Sequence, residues 1–433
     1  MKAAFYTFGC KLNQLETEAL ASSFRGQGFS IVKVNQQADF YIINTCTVTS
    51  KSEQKARRLI RNLARSHPQA RLIVTGCYAQ MNESGLAGLA DNLIVVSQSR
   101  KDILLDLPGL LRSQAGDPVD LKQLPVISPA RENSVFRFQV EQFSFHSRAF
   151  LKIQDGCDYG CAYCRIPLAR GGSVSLNPEE ALSRAVKLEK NGYREVVLTG
   201  VNITSYNCRG WTLPELIEGF LKATSSMRLR LSSLEPEMIN EQLVEALSDE
   251  RVCPHFHIPL QSGSDRVLML MGRRYKAKRV SRAVDLLRKV KPEAFLAADV
   301  LIGFPGENED DFQATRELIE ELRFSRLHVF PFSPRPGTAA EKMKEHTPER
   351  IRDQRVKELI SLSKELLGRY KQRFLGRRVE AILECSSTTP VTAAGIAPVP
   401  ASGASSDFAS AAASGEGQAK RWRGLTGNYL KVE

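Results

Sequence analysis

No stretch of this 433-residue chain approaches the ~18 consecutive apolar residues of a membrane span. Its first residues, MKAAFYTFGC, lack the apolar h-region and small-residue cleavage site of an export signal. No membrane partner is expected, and a cytoplasmic location is. The nine cysteines are an odd number spread through a long chain, which argues against a disulfide framework and for metal or redox chemistry. Acidic residues are outnumbered 48 to 60, leaving a net charge of +12, which favours a polyanionic partner such as nucleic acid over an acidic small molecule. A merely solubilising surface is the plain alternative. Hydrophobic content of 42% and charged content of 25% are those of an ordinary globular protein, and the length calls for two or three domains.

The first hundred residues alternate short apolar runs with helical patterns: KAAFYTF, DFYIINT, RLIVTG and NLIVVS read as strands, QLETEALASSFRGQG and SEQKARRLIRNLARSHP as helices. Such alternation predicts a parallel sheet with flanking helices. Three of the strands end at Cys10, Cys46 and Cys77. In an open parallel sheet the carboxyl ends share one edge, so the three thiols are expected to converge there. The plain alternative is three unrelated buried thiols.

Residues from about 107 to 147 lack a long period and read as a connector. Six further strand candidates follow, FLKIQDG, EVVLTGV, RLRLSSLEP, HFHIPLQS, AFLAADVLIGFP and RLHVFPFSP, with helical patterns between them. Six units fall short of the eight of a closed barrel and suit a partial one; an open doubly wound sheet is the alternative. Residues 386–419 are Ser/Thr/Ala/Gly/Pro-rich and are expected to be disordered. The closing KRWRGLTGNYLKVE mixes basic and aromatic residues, either for phosphate attraction and base stacking or as a solvated tail.

The segment GCDYGCAYC, residues 156–164, places Cys157, Cys161 and Cys164 straight after the first strand of this second series. A structural zinc site needs four ligands, so a zinc reading must borrow a distant one such as His255, His257 or Cys208. Three thiolates can instead hold three corners of a 4Fe-4S cubane and leave one iron open. The C-x3-C-x2-C spacing after a strand resembles the radical S-adenosylmethionine (SAM) superfamily, which implies SAM chelated at the open iron and a 5'-deoxyadenosyl radical made from it.

The ordered segments FGCKLNQLETE, INTCTVT, TGCYAQ, GCDYGCAYC, RLRLSSLEP, HIPLQSGSDRVLMLMGRRY and DVLIGFPGENEDDF are similar to the radical SAM methylthiotransferases over roughly residues 1–375. The resemblance implies an α/β fold in three parts. They are an N-terminal parallel α/β domain over 1–112, and, after a linker at 113–142, a partial (β/α)6 barrel over 143–373 and a small β, TRAM-like, RNA-binding domain over 374–433. That last part is interrupted by 386–419 and short of the further strands such a domain needs. It also implies a second, auxiliary 4Fe-4S cluster on Cys10, Cys46 and Cys77, and two SAM per turnover, one methylating a cluster-borne sulfur and one making the radical. Cys208, Cys253 and Cys385 match no motif.

By the same resemblance Thr199, Gly200 and Asn202 meet the SAM amino group, and Ser232 and Ser233 form a polar strand end. Gln261 and Ser262 contact the ribose or methionine portion, with helix capping as the plain alternative for SGSD. Arg273 either pairs a carboxylate or is solvated. GCKLNQLETE and RLRLSSLEP look most like the branch acting on threonylcarbamoyladenosine beside the tRNA anticodon. Isopentenyladenosine and a ribosomal-protein aspartate are the alternative substrates, and an electron donor of the flavodoxin or ferredoxin kind is implied. The source of the inserted sulfur is left open. A cobalamin-dependent methyltransferase is disfavoured, since His67 is the only N-terminal-region histidine and no D-x-H-x-x-G surrounds it. A non-catalytic RNA-binding iron-sulfur sensor is the remaining alternative.

Overall fold

Apolar runs bounded by polar residues become buried parallel strands, because helices cover both faces of a sheet built from crossover connections. A computed structural model describes residues 1–113, 134–386 and 422–432. Strands β1 (Lys2–Thr7), β2 (Ser30–Val32), β3 (Phe40–Thr45), β4 (Arg71–Gly76) and β5 (Leu93–Val95) form a sheet in the order β2-β1-β3-β4-β5, every pairing parallel. Central β3 is buried throughout. Helix α1 (Lys11–Gly26) packs Leu15, Ala19 and Phe24 on one face of this sheet. Helix α2 (Ser50–Ser66) packs Ala56, Ile60 and Leu63 on the other, at the i, i+4, i+7 spacing of a single helical stripe. Its start is set by Thr49, whose hydroxyl accepts from the Ser52 amide at 3.2 Å.

The second series forms β6 (Ala149–Lys152), β7 (Glu195–Thr199), β8 (Arg228–Leu231), β9 (His255–Gln261), β10 (Phe295–Ile302) and β11 (Arg326–Pro331). They pair in parallel as two three-stranded sheets, β6-β7-β8 and β9-β10-β11, joined by the parallel bridges Leu229–Val252 and Ser233–His257. This is the partial six-strand barrel. Its core is continuous with the α1 face of the first sheet. The two domains therefore share apolar burial, with α1 packed against β6.

The expected connector is only partly one. From residue 134 onward Phe136, Phe138, Val140 and Phe143 are buried in the shared core, and the rest of it lies outside the described residues. The alternation VFRFQV over 135–140 is the signal for this.

A small antiparallel sheet of β12 (Ala381–Ser386), β13 (Trp422–Thr426) and β14 (Lys431–Val432) closes the chain. The low-complexity stretch beyond Ser386 and the Cys385 side chain lie outside the described residues. The closing segment is not a solvated tail, because it plugs the amino-terminal mouth of the barrel. Arg230, paired with Glu195 at 2.7 Å, donates to the carbonyls of Thr426 and Gly427. His255 stacks on Tyr429 with ring centroids 4.1 Å apart, and Arg230 lies 5.4 Å from the Tyr429 ring centroid. That ring is occupied and unavailable for base stacking. Tyr429→Ala is expected to lower stability by about 2 kcal/mol, read as a shift of the urea unfolding midpoint at unchanged slope.

Candidate active site

The topology carries Cys10, Cys46 and Cys77 to the carboxyl-terminal edge of β1, β3 and β4. Two glycines let their loops close up. Gly9 has φ +100°, and a Cβ there would lie 2.6 Å from the Cys46 sulfur; Gly76 has φ +100°, and its Cβ would meet the Thr45 carbonyl at 2.3 Å. Cys46 and Cys77 are buried and Cys10 is exposed. Burial pushes the Cys46 thiol up to about 12, and the charges of Cys10 and Cys77 push the same way. Burial also raises Cys77, with Arg170 opposing it. Buried thiols that repel one another as thiolates call for a cation between them.

Cys157, Cys161 and Cys164 lie on the loop after β6. Each sulfur faces a nitrogen donor: the Tyr159 amide on Cys157 at 3.4 Å, Arg273 Nη1 on Cys161 at 3.3 Å and the Ile166 amide on Cys164 at 3.5 Å. Burial pushes Cys164 up to about 12 and raises Cys157. Among the described residues neither trio gathers its three sulfurs within 4.8 Å of one another. A tetrahedral zinc would hold thiolates roughly 3.8 Å apart, so neither trio is gathered as a single zinc ion would gather it.

The borrowed zinc ligands are engaged elsewhere. His255 stacks on Phe295 and Tyr429, His257 sits beside Asp299 inside the barrel, and Cys208 pairs with Trp211 in a two-residue hairpin. His67 stacks on Tyr41 at the end of α2, at the opposite edge of the sheet from the cysteines.

Charged side chains tie the two cysteine-bearing segments together across the domain boundary. Arg165, next to Cys164, donates to Thr47 Oγ1, next to Cys46, at 3.1 Å and pairs with Glu53 at 3.1 Å. Arg335, just beyond β11, joins the same group through Glu53, the Thr47 carbonyl and Ser50. Arg170 spans the gap more directly. Its Nε donates to Cys77 Sγ at 3.2 Å, Nη1 to Glu16 and Asp155 at 3.0 and 2.9 Å, and Nη2 to Asn13 and Glu16 at 2.9 and 3.1 Å. Lys101 binds Glu16 at 2.6 Å, and Lys152 binds Glu16 at 3.2 Å and Asp155 at 2.5 Å. Three buried cations thus face two buried carboxylates. The surplus positive charge lies against Cys77.

Arg273 is neither solvated nor alone. Buried, it pairs with Glu235 as well as facing Cys161 and Tyr275. Burial pushes Glu235 up to about 7; Arg273 opposes this and Glu237 adds to it. Nearby, both Glu237 carboxylate oxygens and the Asn202 amide nitrogen are buried without partners. An acceptor pair and a donor left open beside the Cys157 loop match the amino and carboxylate groups of an amino-acid ligand such as SAM. Thr199 and Gly200 end β7, and the Asn202 backbone amide is fixed by Gln154 at 2.8 Å. Ser232 follows β8, and Ser233 contacts His257 at 3.4 Å. Gln261 takes a left-handed φ of 63° at the end of β9. Ser262 is already used: its buried hydroxyl meets Thr315 at 3.2 Å and accepts from the Ser264 amide, while Ser264 caps the helix that follows. Glu16, Asp155, Arg170, Glu235 and Glu237 were not singled out from sequence. Beside Arg273 a cleft of about 950 Å³ opens outward, faced by seven cationic side chains, among them Arg274, Lys276, Lys278, Arg279 and Arg282, against Glu237 and Asp265. Among the described residues no helix is long and apolar enough to cross a membrane.

Comparison with known proteins agrees with this division. Residues 2–97 match the Uncharacterized protein family UPF0004 and residues 151–319 the Radical SAM superfamily. The chain is 39% identical to the threonylcarbamoyladenosine tRNA methylthiotransferase MtaB of Treponema pallidum, over 89% of this chain and 92% of that one. It is 37% identical to the protein of the same description from Thermotoga maritima (87% and 85% covered) and 36% to that from Bacillus subtilis (88% and 84%). Among solved structures the cobalamin-bound radical SAM methyltransferase TsrM of Kitasatospora setae is similar at TM-score 0.55 and 13% identity, covering 78% of this chain and 76% of that one. At that identity the likeness concerns the fold alone.

Proposed function

The chain belongs to the radical SAM tRNA methylthiotransferases, and from that premise we propose that it converts threonylcarbamoyladenosine beside the tRNA anticodon to its 2-methylthio derivative. Membership brings a 4Fe-4S cluster and SAM. On this reading Cys157, Cys161 and Cys164 hold that cluster, and Cys10, Cys46 and Cys77 hold an auxiliary one. Bound there, the two clusters and two SAM molecules supply a methylatable sulfur and a carbon-centred radical, which together replace hydrogen on carbon 2 of the adenine.

The side chains supply placement and charge. Asn202 and Glu237, with unpaired buried polar atoms, orient the zwitterionic end of SAM. Arg273 donates to Cys161 and orients its sulfur, while Glu235 keeps the arginine in place. Arg165 and Arg170 set the distance between the two thiol groups by bonding across the domain boundary. The cationic cleft gives the anticodon-loop phosphates a path to the site, and its salt sensitivity follows from ion release. Electrons come from a flavodoxin- or ferredoxin-type donor.

The observation that supports the reading is that Arg165, beside Cys164, bonds Thr47, beside Cys46, and that Arg170, beyond the cysteine loop, bonds Cys77 across the domain boundary. Nucleoside mass spectrometry of tRNA from cells with and without the gene tests it. Loss of 2-methylthio-threonylcarbamoyladenosine, with the unthiolated nucleoside accumulating, is the expected result. Unchanged product in a strain with no related enzyme would remove the substrate assignment. Failure to form 5'-deoxyadenosine from SAM and a strong reductant would leave the sensor reading instead.

A further inference from the structure

Inside the barrel three neighbouring strands present His257 (β9), Asp299 (β10) and His328 (β11) to one point. Register makes this possible, since β9 and β10 pair His257 with Ala297, two residues from Asp299, and β10 and β11 pair Asp299 with His328 directly. His257 Nε2 lies 2.8 Å and His328 Nδ1 3.4 Å from the same oxygen, Asp299 Oδ1. The side chains are 20%, 22% and 41% exposed, so the point is reachable from the lumen.

The contacts are close without being hydrogen bonds. His257 Nε2 is buried and has no hydrogen-bond partner, although a carboxylate oxygen is 2.8 Å away, because the ring N–H direction misses that oxygen. Such an orphaned buried nitrogen calls for an explanation. A metal edge provides one. Donors about 2.1 Å from a common ion stand roughly 3.0 Å apart at right angles and about 3.4 Å apart in a tetrahedron, each aiming its lone pair at the ion and not at its neighbour. The 3.4 Å separation matches the tetrahedral value and the 2.8 Å one falls slightly short of the right-angle value. The far nitrogen of His257, Nδ1, is 3.4 Å from Ser233 Oγ, an outer contact of the sort that orients a ligating imidazole.

We propose that His257, Asp299 and His328 form a site for one divalent first-row transition ion, with the remaining coordination positions open to the barrel lumen. Two imidazoles and one carboxylate suit borderline ions of the manganese-to-zinc series and not magnesium or calcium, which take oxygen ligands. The open positions would accept water or an anionic oxygen ligand.

The test is manganese(II) alone added to the anaerobically reconstituted full-length protein, because manganese competes poorly for thiolates. The signal of free aqueous manganese in electron paramagnetic resonance should fall by about one equivalent per chain, and pulsed measurements should show nitrogen coupling from imidazole. Loss of an outer-shell partner alone costs 10–100-fold in affinity, so Asp299→Asn and His328→Ala should each weaken binding by at least about tenfold, with iron content unchanged as the check on folding. His328 is the more exposed of the three, which makes its variant the safer one. Manganese that stays free, binds without nitrogen coupling, or binds both variants as tightly as the parent would overturn the site.

Discussion

Anaerobic reconstitution of the intact chain is expected to load about eight irons, and that of the variant carrying Cys10→Ala, Cys46→Ala and Cys77→Ala about four. The variant should still cleave SAM to 5'-deoxyadenosine, since Cys157, Cys161 and Cys164 and their donors Arg273, Tyr159 and Ile166 are untouched. Methylthio product should fall below detection. This split, radical formation kept and sulfur insertion lost, follows from placing the two tasks on opposite sides of the domain boundary. Four irons in the unaltered chain would remove the auxiliary cluster and leave Cys46 and Cys77 as ordinary buried thiols. Alanine at these positions deletes only a sulfur, and Arg170 keeps five hydrogen bonds from its two terminal guanidinium nitrogens to Glu16, Asp155 and Asn13, so loss of fold is not the expected cause of the iron loss.

The barrel strands were legible because each is an apolar run stopped by polar residues, and the cysteine trios because strand-end position and short spacing carry them. β2, three residues long and half exposed, has too little pattern to read. The charged layer between the domains was illegible for a different reason. Glu16 lies within a helix, Lys101 in a 3-10 turn, Asp155 after β6 and Arg170 after the cysteine loop, and each alone resembles a solvated surface charge. Only the packing of α1 against β6 makes them partners. His257, Asp299 and His328 likewise sit on separate strands, and their convergence depends on register, which periodicity alone does not fix. Ser262 shows the converse: a motif residue that reads as a ligand contact spends its hydroxyl inside the fold.

Arg170→Met should be the most damaging single change away from the cysteines. It removes six hydrogen bonds to Cys77, Glu16, Asp155 and Asn13 and leaves two carboxylates buried with only Lys101 and Lys152. Breaking a buried pair by deleting one partner costs about 3–5 kcal/mol, so the urea midpoint should fall accordingly. Arg170→Lys restores the charge but not the fork of donors, and should recover only a minor part of that loss. The acid limb separates this from generic damage. Burial alone would raise Glu16 and Asp155, but Arg170 foremost among the nearby cations holds Glu16 well below and Asp155 below their ordinary values of 4.5 and 3.8. Depressed carboxylates contribute stability that is fully present above those values and drains away as the pH falls through them. The cluster-free parent should therefore lose stability steeply as pH falls below about 4.5, and the methionine variant, whose carboxylates relax upward, less steeply from a lower starting point. In the loaded protein the same substitution withdraws a positive charge and an N–H donor from Cys77, which disfavours adding an electron nearby. The auxiliary centre's midpoint potential should drop, with lysine restoring more of the potential than of the stability. Equal recovery of both would mean that charge, not the geometry of the fork, is what Arg170 supplies.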